Sequence, residues 1–244
     1  MRRTCLALIT VFVLAGCGSS ASTSTSTSTG GSAGAAAGSS TSTTSTAASG
    51  GAAPAGCRTV PVPAPKGAQH LSAPKLKLDP RRTYTVTVVT NCGTFAFALD
   101  VKHSPKTSAS MYYLVKRGFF DGLTFHRVAA GFVIQGGDPL GNGTGGPGYS
   151  VIEPPPQSTQ YVRGDVAMAK TQTDPRGASG SQFFIVTGAN ITQSAQLTPD
   201  YALAGTVVSG IDVVERIGSL PTNPAGDGTP TPAVVMSKVT VSSS

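Results

Sequence analysis

From residue 83 onward the chain alternates apolar and polar positions in short runs. Across residues 83–90, Tyr84, Val86 and Val88 fall on one face and threonines on the other, the period-two signature of a half-buried strand. The TNCGT turn follows, and Phe95, Phe97 and Leu99 then alternate in turn, which predicts a hairpin. Residues 105–120 change period. Met111, Leu114 and Val115 share a side, Pro105 suits a first turn, Ser104 is placed to cap it, and Gly118 comes near the end. Short apolar strands are predicted at 123–128, 132–135, 164–169, 182–187 and 202–207. A second helix is predicted at 211–217 and a last alternating strand at 234–241. Many short strands with Gly/Pro turns and two helices argue for a closed antiparallel barrel.

The first 56 residues follow a different pattern. Arg2 and Arg3 precede an apolar run from Leu6 to Ala15, too short to span a bilayer and suited to a signal-peptide core. The run ends in Leu14-Ala15-Gly16-Cys17, which resembles a bacterial lipobox and implies cleavage after residue 16 and a lipid on Cys17. The rest of a twin-arginine pattern is missing. Residues 17–56 are almost wholly Ser, Thr, Ala and Gly after the cysteine, with too little apolar surface to offset ordering, so a disordered tether is expected. The expected organisation is a signal at 1–16, a tether at 17–56, a basic Pro-rich segment at 57–82 and a domain at 83–244.

The formal charge of +7 suggests nucleic acid until its distribution is read. Residues 83–244 hold ten Lys/Arg and ten Asp/Glu, a balance of zero, and the excess lies in residues 57–82 and the signal. The basic segment suits anionic headgroups or a solvated linker face equally well. Of the four cysteines, Cys57 and Cys92 remain beyond the signal and lipid site, and an exported chain favours a disulfide between them, with two free thiols the alternative. Two cysteines and three scattered histidines show no metal-ligand spacing.

The GNGTGG run at 141–146 matches a dinucleotide fingerprint only superficially. Pro147, Gly148 and Pro154 to Pro156 follow, so no helix opens there, and the glycines read as a tight loop that lets a ligand approach the backbone. His126 and Arg127 are strand neighbours and face opposite ways, so if Arg127 lines a site His126 does not; a structural histidine bonded within a loop is expected. Arg127 keeps company with Phe132, Val133, Gln135, Gln182 and Phe184. An apolar floor with amides and one guanidinium can bind and polarise a peptide but cannot attack it.

The stretches FHRVAAGFVIQGGDP, GNGTGG and SGSQFFIVT, in that order, resemble the cyclophilin family of peptidyl-prolyl cis-trans isomerases over about residues 83–241. The resemblance implies an all-β dominated fold, a closed eight-stranded antiparallel barrel capped by two helices. It also implies catalysis of X–Pro rotation without metal or cofactor. It assigns Arg127, Phe132 and Gln135 to catalysis. Val133, Phe184 and Leu197 join Phe132 in the proline pocket, Gly143 rims the next subsite, and Ala169, Lys170, Thr171 and Gln182 meet the substrate backbone. Val133 stands where the family has methionine, Lys170 where it has asparagine, Gln196 where cyclosporin-sensitive members have tryptophan, and Tyr201 where they have histidine. These departures imply weak cyclosporin binding. The expected partners are proline-containing peptides and a membrane reached through Cys17, for a monomer on the extracytoplasmic face that does not bind nucleic acid. A proline-peptide-binding chaperone with little turnover is the alternative function.

Overall fold

The computed structural model describes residues 56–188 and 197–244; the expectations for the signal, Cys17, the tether and Gln196 lie outside them. The chain runs β1 (Tyr84–Thr90), β2 (Gly93–Leu99), α1 (Pro105–Lys116), β3 (Thr124–Phe125), β4 (Arg127–Ala129), β5 (Val133–Gly136), β6 (Val151–Ile152) and β7 (Asp165–Met168). It continues with β8 (Ala178–Ser179), β9 (Phe183–Val186), β10 (Leu203–Ser209), α2 (Ile211–Gly218), β11 (Thr222–Asn223), β12 (Asp227–Pro230) and β13 (Val234–Ser243). Eleven strands form one curled antiparallel sheet in the order β11-β12-β4-β5-β9-β7-β10-β2-β1-β13-β3, while β6 and β8 pair separately. The strand expected at 123–128 is two short ones. Phe125 on β3 pairs with Val234, Arg127 on β4 pairs with Gln135, and His126 lies at the break between them.

The hairpin forms as the alternation predicts, with Val86 opposite Phe97 and Val88 opposite Phe95. Asn91 in its turn is buried and fully used. Its Nδ2 donates to the carbonyls of Arg58 and Ala233 (2.6 and 3.0 Å), and its Oδ1 accepts from the Val235 N–H at 2.8 Å. Helix α1 stops four residues short of the expected Phe120. The Arg117 N–H closes the last turn on Tyr113 and Leu114, and Gly118 takes a left-handed φ of 65°, which ends the helix at little cost for a residue without a Cβ. Its other end also differs from expectation. The Ser104 side chain makes no capping bond. The Glu153 carboxylate accepts from the Lys106 and Thr107 N–H groups instead (3.0 and 2.7 Å), neutralising open donors at the helix start.

Strand alternation sorts the apolar side chains into two clusters. Phe97, Phe120, Phe125 and Phe183 pack inside the curl, with Phe183 central, its ring centroid 6.4, 5.8 and 5.9 Å from those of Phe97, Phe120 and Phe125. The adjacent Phe184 faces the other way, into a smaller cluster with Ala129, Val133, Tyr161, Ala167 and Val186. The first cluster holds the sheet in shape, and the second underlies the site.

Residues 57–82 lie along this domain as an extended strap, with most of their side chains exposed. Cys57 is bonded to Cys92, the Lys66 N–H donates to the Pro139 carbonyl at 2.9 Å, and the Leu71 N–H donates to Pro147 at 2.8 Å. The Lys66 ammonium reaches the Gly118 and Phe119 carbonyls, and burial lowers its pKa from the ordinary lysine value. Part of the segment's positive charge is therefore engaged by the domain. The disulfide spans 35 residues, and the chain-entropy model gives such a cross-link roughly 3–4 kcal/mol. Replacing both Cys57 and Cys92 by serine is expected to lower stability by about that amount, read as a reduced denaturant midpoint. No helix of the described residues is long and apolar enough to cross a membrane.

Candidate active site

Register places the site. Arg127 on β4 stands opposite Gln135 on β5, Gln135 stands opposite Phe184 on β9, and Phe184 stands opposite Ala167 on β7. Cross-strand partners present their side chains on the same face, so these residues form one row across four strands. A cavity of about 160 Å³ opens on this row, lined by Arg127, Phe132, Val133, Gln135, Ala169, Lys170, Phe184, Leu197 and Tyr201. Pockets for drug-sized ligands run from roughly 300 Å³ upward, so this one suits a small apolar ring. His126 is absent from it and lines a separate cavity with Asp138, as the opposed faces predict.

The guanidinium of Arg127 is aimed by three hydrogen bonds. Nε and Nη2 donate to the two carboxylate oxygens of Asp227, each at 2.7 Å, and Nη1 donates to Gln135 Oε1 at 3.1 Å. Five N–H donors less the three bonded among the described residues leaves one on each Nη for a ligand. Gln135 Nε2 donates onward to Gln182 Oε1 at 3.1 Å, and Gln182 Nε2 donates to the Gly143 and Gly145 carbonyls (2.9 and 2.8 Å). Asp138 holds the same loop from beneath, accepting the N–H groups of Leu140, Asn142 and Gly143. A Cβ at Gly145 would lie only 2.0 Å from Asp138 Oδ1, so the loop closes this tightly only with glycine there.

The floor is aromatic. Phe184 and Tyr201 meet edge to face with centroids 5.3 Å apart, and Tyr161 lies beneath them. The Tyr161 hydroxyl donates to the Tyr201 carbonyl at 2.7 Å and accepts its N–H at 3.0 Å, fixing the backbone that presents Tyr201. Burial pushes the Tyr161 phenol up to about 12, against smaller opposing effects, so it stays protonated. On the rim, the Ala169 N–H donates to the Gln182 carbonyl and the Thr171 N–H to the Asp174 carboxylate. Lys170 between them keeps its backbone N–H and carbonyl without a partner among the described residues, the pair an extended peptide needs. Its ammonium stands 5.6 Å from the centre of the Tyr201 ring.

All the candidate pocket residues from the sequence come together here except Gly143 and Thr171, which line the adjoining larger cavity, and Gln182, which joins the two by its bonds. Sequence reasoning missed Asp227, Tyr161, Asp138 and Glu153. Asp227 is the Gly-flanked first residue of β12, 100 residues away and paired with Ala129 on β4, and it carries no local signal.

His126 departs from expectation. Both ring nitrogens are buried without a hydrogen-bond partner among the described residues, because the residue sits at the β3–β4 break and not in a polar loop. Desolvation lowers its pKa, helped by Arg127 and opposed by Asp138. A folded-state value below the unfolded one means that the unfolded chain binds the proton more tightly. Stability should therefore fall as pH drops below about 6.5, toward the lower folded value. Denaturant titrations between pH 7.5 and 5 test this; His126→Leu should flatten the acid slope.

This is a β-sheet protein with a ring-sized apolar pocket overlooked by a tethered guanidinium. The model of the family described as cyclophilin type peptidyl-prolyl cis-trans isomerase/CLD matches residues 85–241, and the chain belongs to that family. A peptidyl-prolyl cis-trans isomerase of Helicobacter pylori is 35% identical over 154 residues, covering 57% of this chain and 90% of the relative. Peptidyl-prolyl cis-trans isomerase A of Mycobacterium tuberculosis is 35% identical over 181 residues, covering 67% and 95%. A Cryptosporidium parvum cyclophilin type isomerase superposes with TM-score 0.58 at 27% identity, over 66% of this chain and 98% of its own. A second structure, in the presence of the dipeptide Ala-Pro, gives 0.57 at 28% identity over 65% and 98%. The protein is a peptidyl-prolyl isomerase.

Proposed function

We propose that Arg127 is the catalytic donor and that Phe132, Val133, Phe184, Leu197 and Tyr201 hold the proline ring. The observation that carries this is the pair of uncommitted Nη hydrogens beside a pocket of ring size. Rotation about X–Pro breaks amide resonance, with a barrier of about 20 kcal/mol. In the twisted state the proline nitrogen becomes pyramidal and gains a lone pair, so a donor beside it binds that state better than the planar one. Gln135 steadies the guanidinium, and the Lys170 backbone pairs with the peptide. The relative solved with Ala-Pro supports a proline-containing peptide as the ligand. Titration of an Ala-Pro peptide into isotope-labelled protein should shift Phe132, Val133, Lys170, Phe184 and Tyr201; unmoved signals there would remove this assignment.

The same reading takes eight strands of the curl as a closed barrel, with β3 and β4 counted as one interrupted at His126 and the short β11 and β12 set aside. It also takes the domain as a monomer, cyclosporin as a weak ligand, and the chain as lipid-anchored at Cys17 outside the cytoplasmic membrane, acting on exported or envelope proteins. The Leu-Ala-Gly-Cys order after a short apolar run supports the anchor. Mass spectrometry of the N-terminal peptide from membranes tests it. A diacylated Cys17 is expected, and an unmodified peptide containing residues 14–18 would overturn it.

A further inference from the structure

Beside the proline pocket lies a larger cavity of about 620 Å³, and the two share Gln135, Ala169 and Lys170 as a common wall. One side of the larger cavity comes from the strap, through Ala68 and Gln69. These residues precede residue 85, where the family match begins, so this wall lies outside the matched domain.

The strap is seated there, not merely nearby. Leu71 bonds to Pro147, and Gly148, at φ 92°, has the strap directly against it. A Cβ at Gly148 would lie 2.5 Å from the Gln69 carbonyl oxygen and 2.8 Å from the His70 Cα. Upstream, Lys66 and the Cys57–Cys92 bond hold the strap's course. The cavity's two charged side chains are internally satisfied. Lys170 Nζ donates to the Thr171 and Asp174 carbonyls, and the Asp174 carboxylate accepts the Thr171 N–H and hydroxyl. Gln69 Nε2 is used on the Lys66 and Gly67 carbonyls, while its Oε1 has no donor among the described residues. Of the two residues that the strap contributes, Gln69 therefore offers an unused side-chain acceptor and Ala68 a small apolar surface beside it.

We propose that the strap is a specificity element: Ala68 and Gln69 select, in the peptide substrate, a large uncharged side chain with a donor tip flanking the X–Pro pair. This rests on the peptide occupying the site as set out above. The cavity is within the range of pockets that bury a ligand, about 300–1,000 Å³, and an extended peptide fixed at Lys170 lies along its edge. Size favours a long side chain, and the strap's Gln69 acceptor favours glutamine or tyrosine over aspartate.

The test is kcat/KM on peptides with a constant Ala-Pro core, carrying Ala, Gln, Tyr or Asp in turn at each flanking position. The full chain, held in detergent, is compared with Gln69→Ala and Ala68→Trp. At one flank the parent should prefer Gln and Tyr over Ala by roughly three- to tenfold, as one hydrogen bond allows. Gln69→Ala should bring that ratio to about one while leaving the all-Ala peptide unchanged. Ala68→Trp, at an exposed position, should penalise Tyr most. A parent without preference, a ratio unaltered in both variants, or an equal fall on every peptide would overturn the proposal. Should the parent accelerate none of them, the isomerase reading of the site fails instead, and the same ratios are then read as dissociation constants.

Discussion

Arg127→Ala is expected to lower kcat/KM by roughly 100–1,000-fold, the range for removing one preorganised donor from a transition state. Among the described residues the pocket's other nitrogen donors are engaged elsewhere, Gln135 Nε2 on Gln182 and Lys170 Nζ on the Thr171 and Asp174 carbonyls. Phe132, Val133, Phe184, Leu197 and Tyr201 contribute no donor to the reacting nitrogen except the Tyr201 hydroxyl at the rim. The loss should appear in kcat and leave KM within a few-fold, because the apolar pocket that holds the ring is intact and only the interaction strengthened by twisting is gone. Stability should change little, since the Arg127–Asp227 pair is substantially exposed, 36% and 53% by side chain. Such pairs contribute about 0–1 kcal/mol. Exchange NMR on a short X–Pro peptide and a thermal melt measure the two effects side by side.

Asp227→Ala is expected to cost up to about 100-fold in kcat, the scale of misplacing a reacting group by an ångström. Asp227 takes both Nε and Nη2 of Arg127, which sets the plane of the guanidinium and so the direction of its remaining donors. Gln135 alone would leave it free to swing about one bond. The carboxylate also partly neutralises the cation, which works against catalysis, but the bidentate geometry lets positioning outweigh that neutralisation. Among the described residues the Asp227 carboxylate bonds only to Arg127, so its removal in an Arg127→Ala background should have almost no further effect on rate. An additive double variant would mean that Asp227 acts on the substrate by another route.

The strands that build the site were legible because alternation is a direct record of two faces. Phe95, Phe97 and Leu99 announced the inner face, and Phe183–Phe184 carried both faces in consecutive residues. Arg127, Phe132, Gln135 and Phe184 were legible as a set through the family resemblance, and the cross-strand register shows why their separations bring them together. Groups acting across long separations were not legible. Asp227 reaches Arg127 from the start of β12, a short strand whose sequence is polar and glycine-rich like a turn. Tyr161 follows a Pro-rich loop, and only tertiary packing makes it the support of Tyr201. The helix start differs for the same reason: Ser104 is the local solution for capping, and Glu153 from β6's edge displaces it. The Cys57–Cys92 bond was legible, but the rest of the strap's docking was hidden because the Arg58, Lys66 and Leu71 N–H groups make it, and composition does not record backbone bonds.

The central claim is that this pocket accelerates rotation of the X–Pro bond. Uncatalysed exchange takes about 10–100 s at 25 °C, so exchange NMR on a short Ala-Pro peptide with substoichiometric protein measures the claim directly. The account predicts cis–trans cross-peaks at mixing times far below a second with the parent and their absence with Arg127→Ala. Peptide binding at the pocket without any parent cross-peaks would contradict it and leave a proline-peptide-binding module in its place.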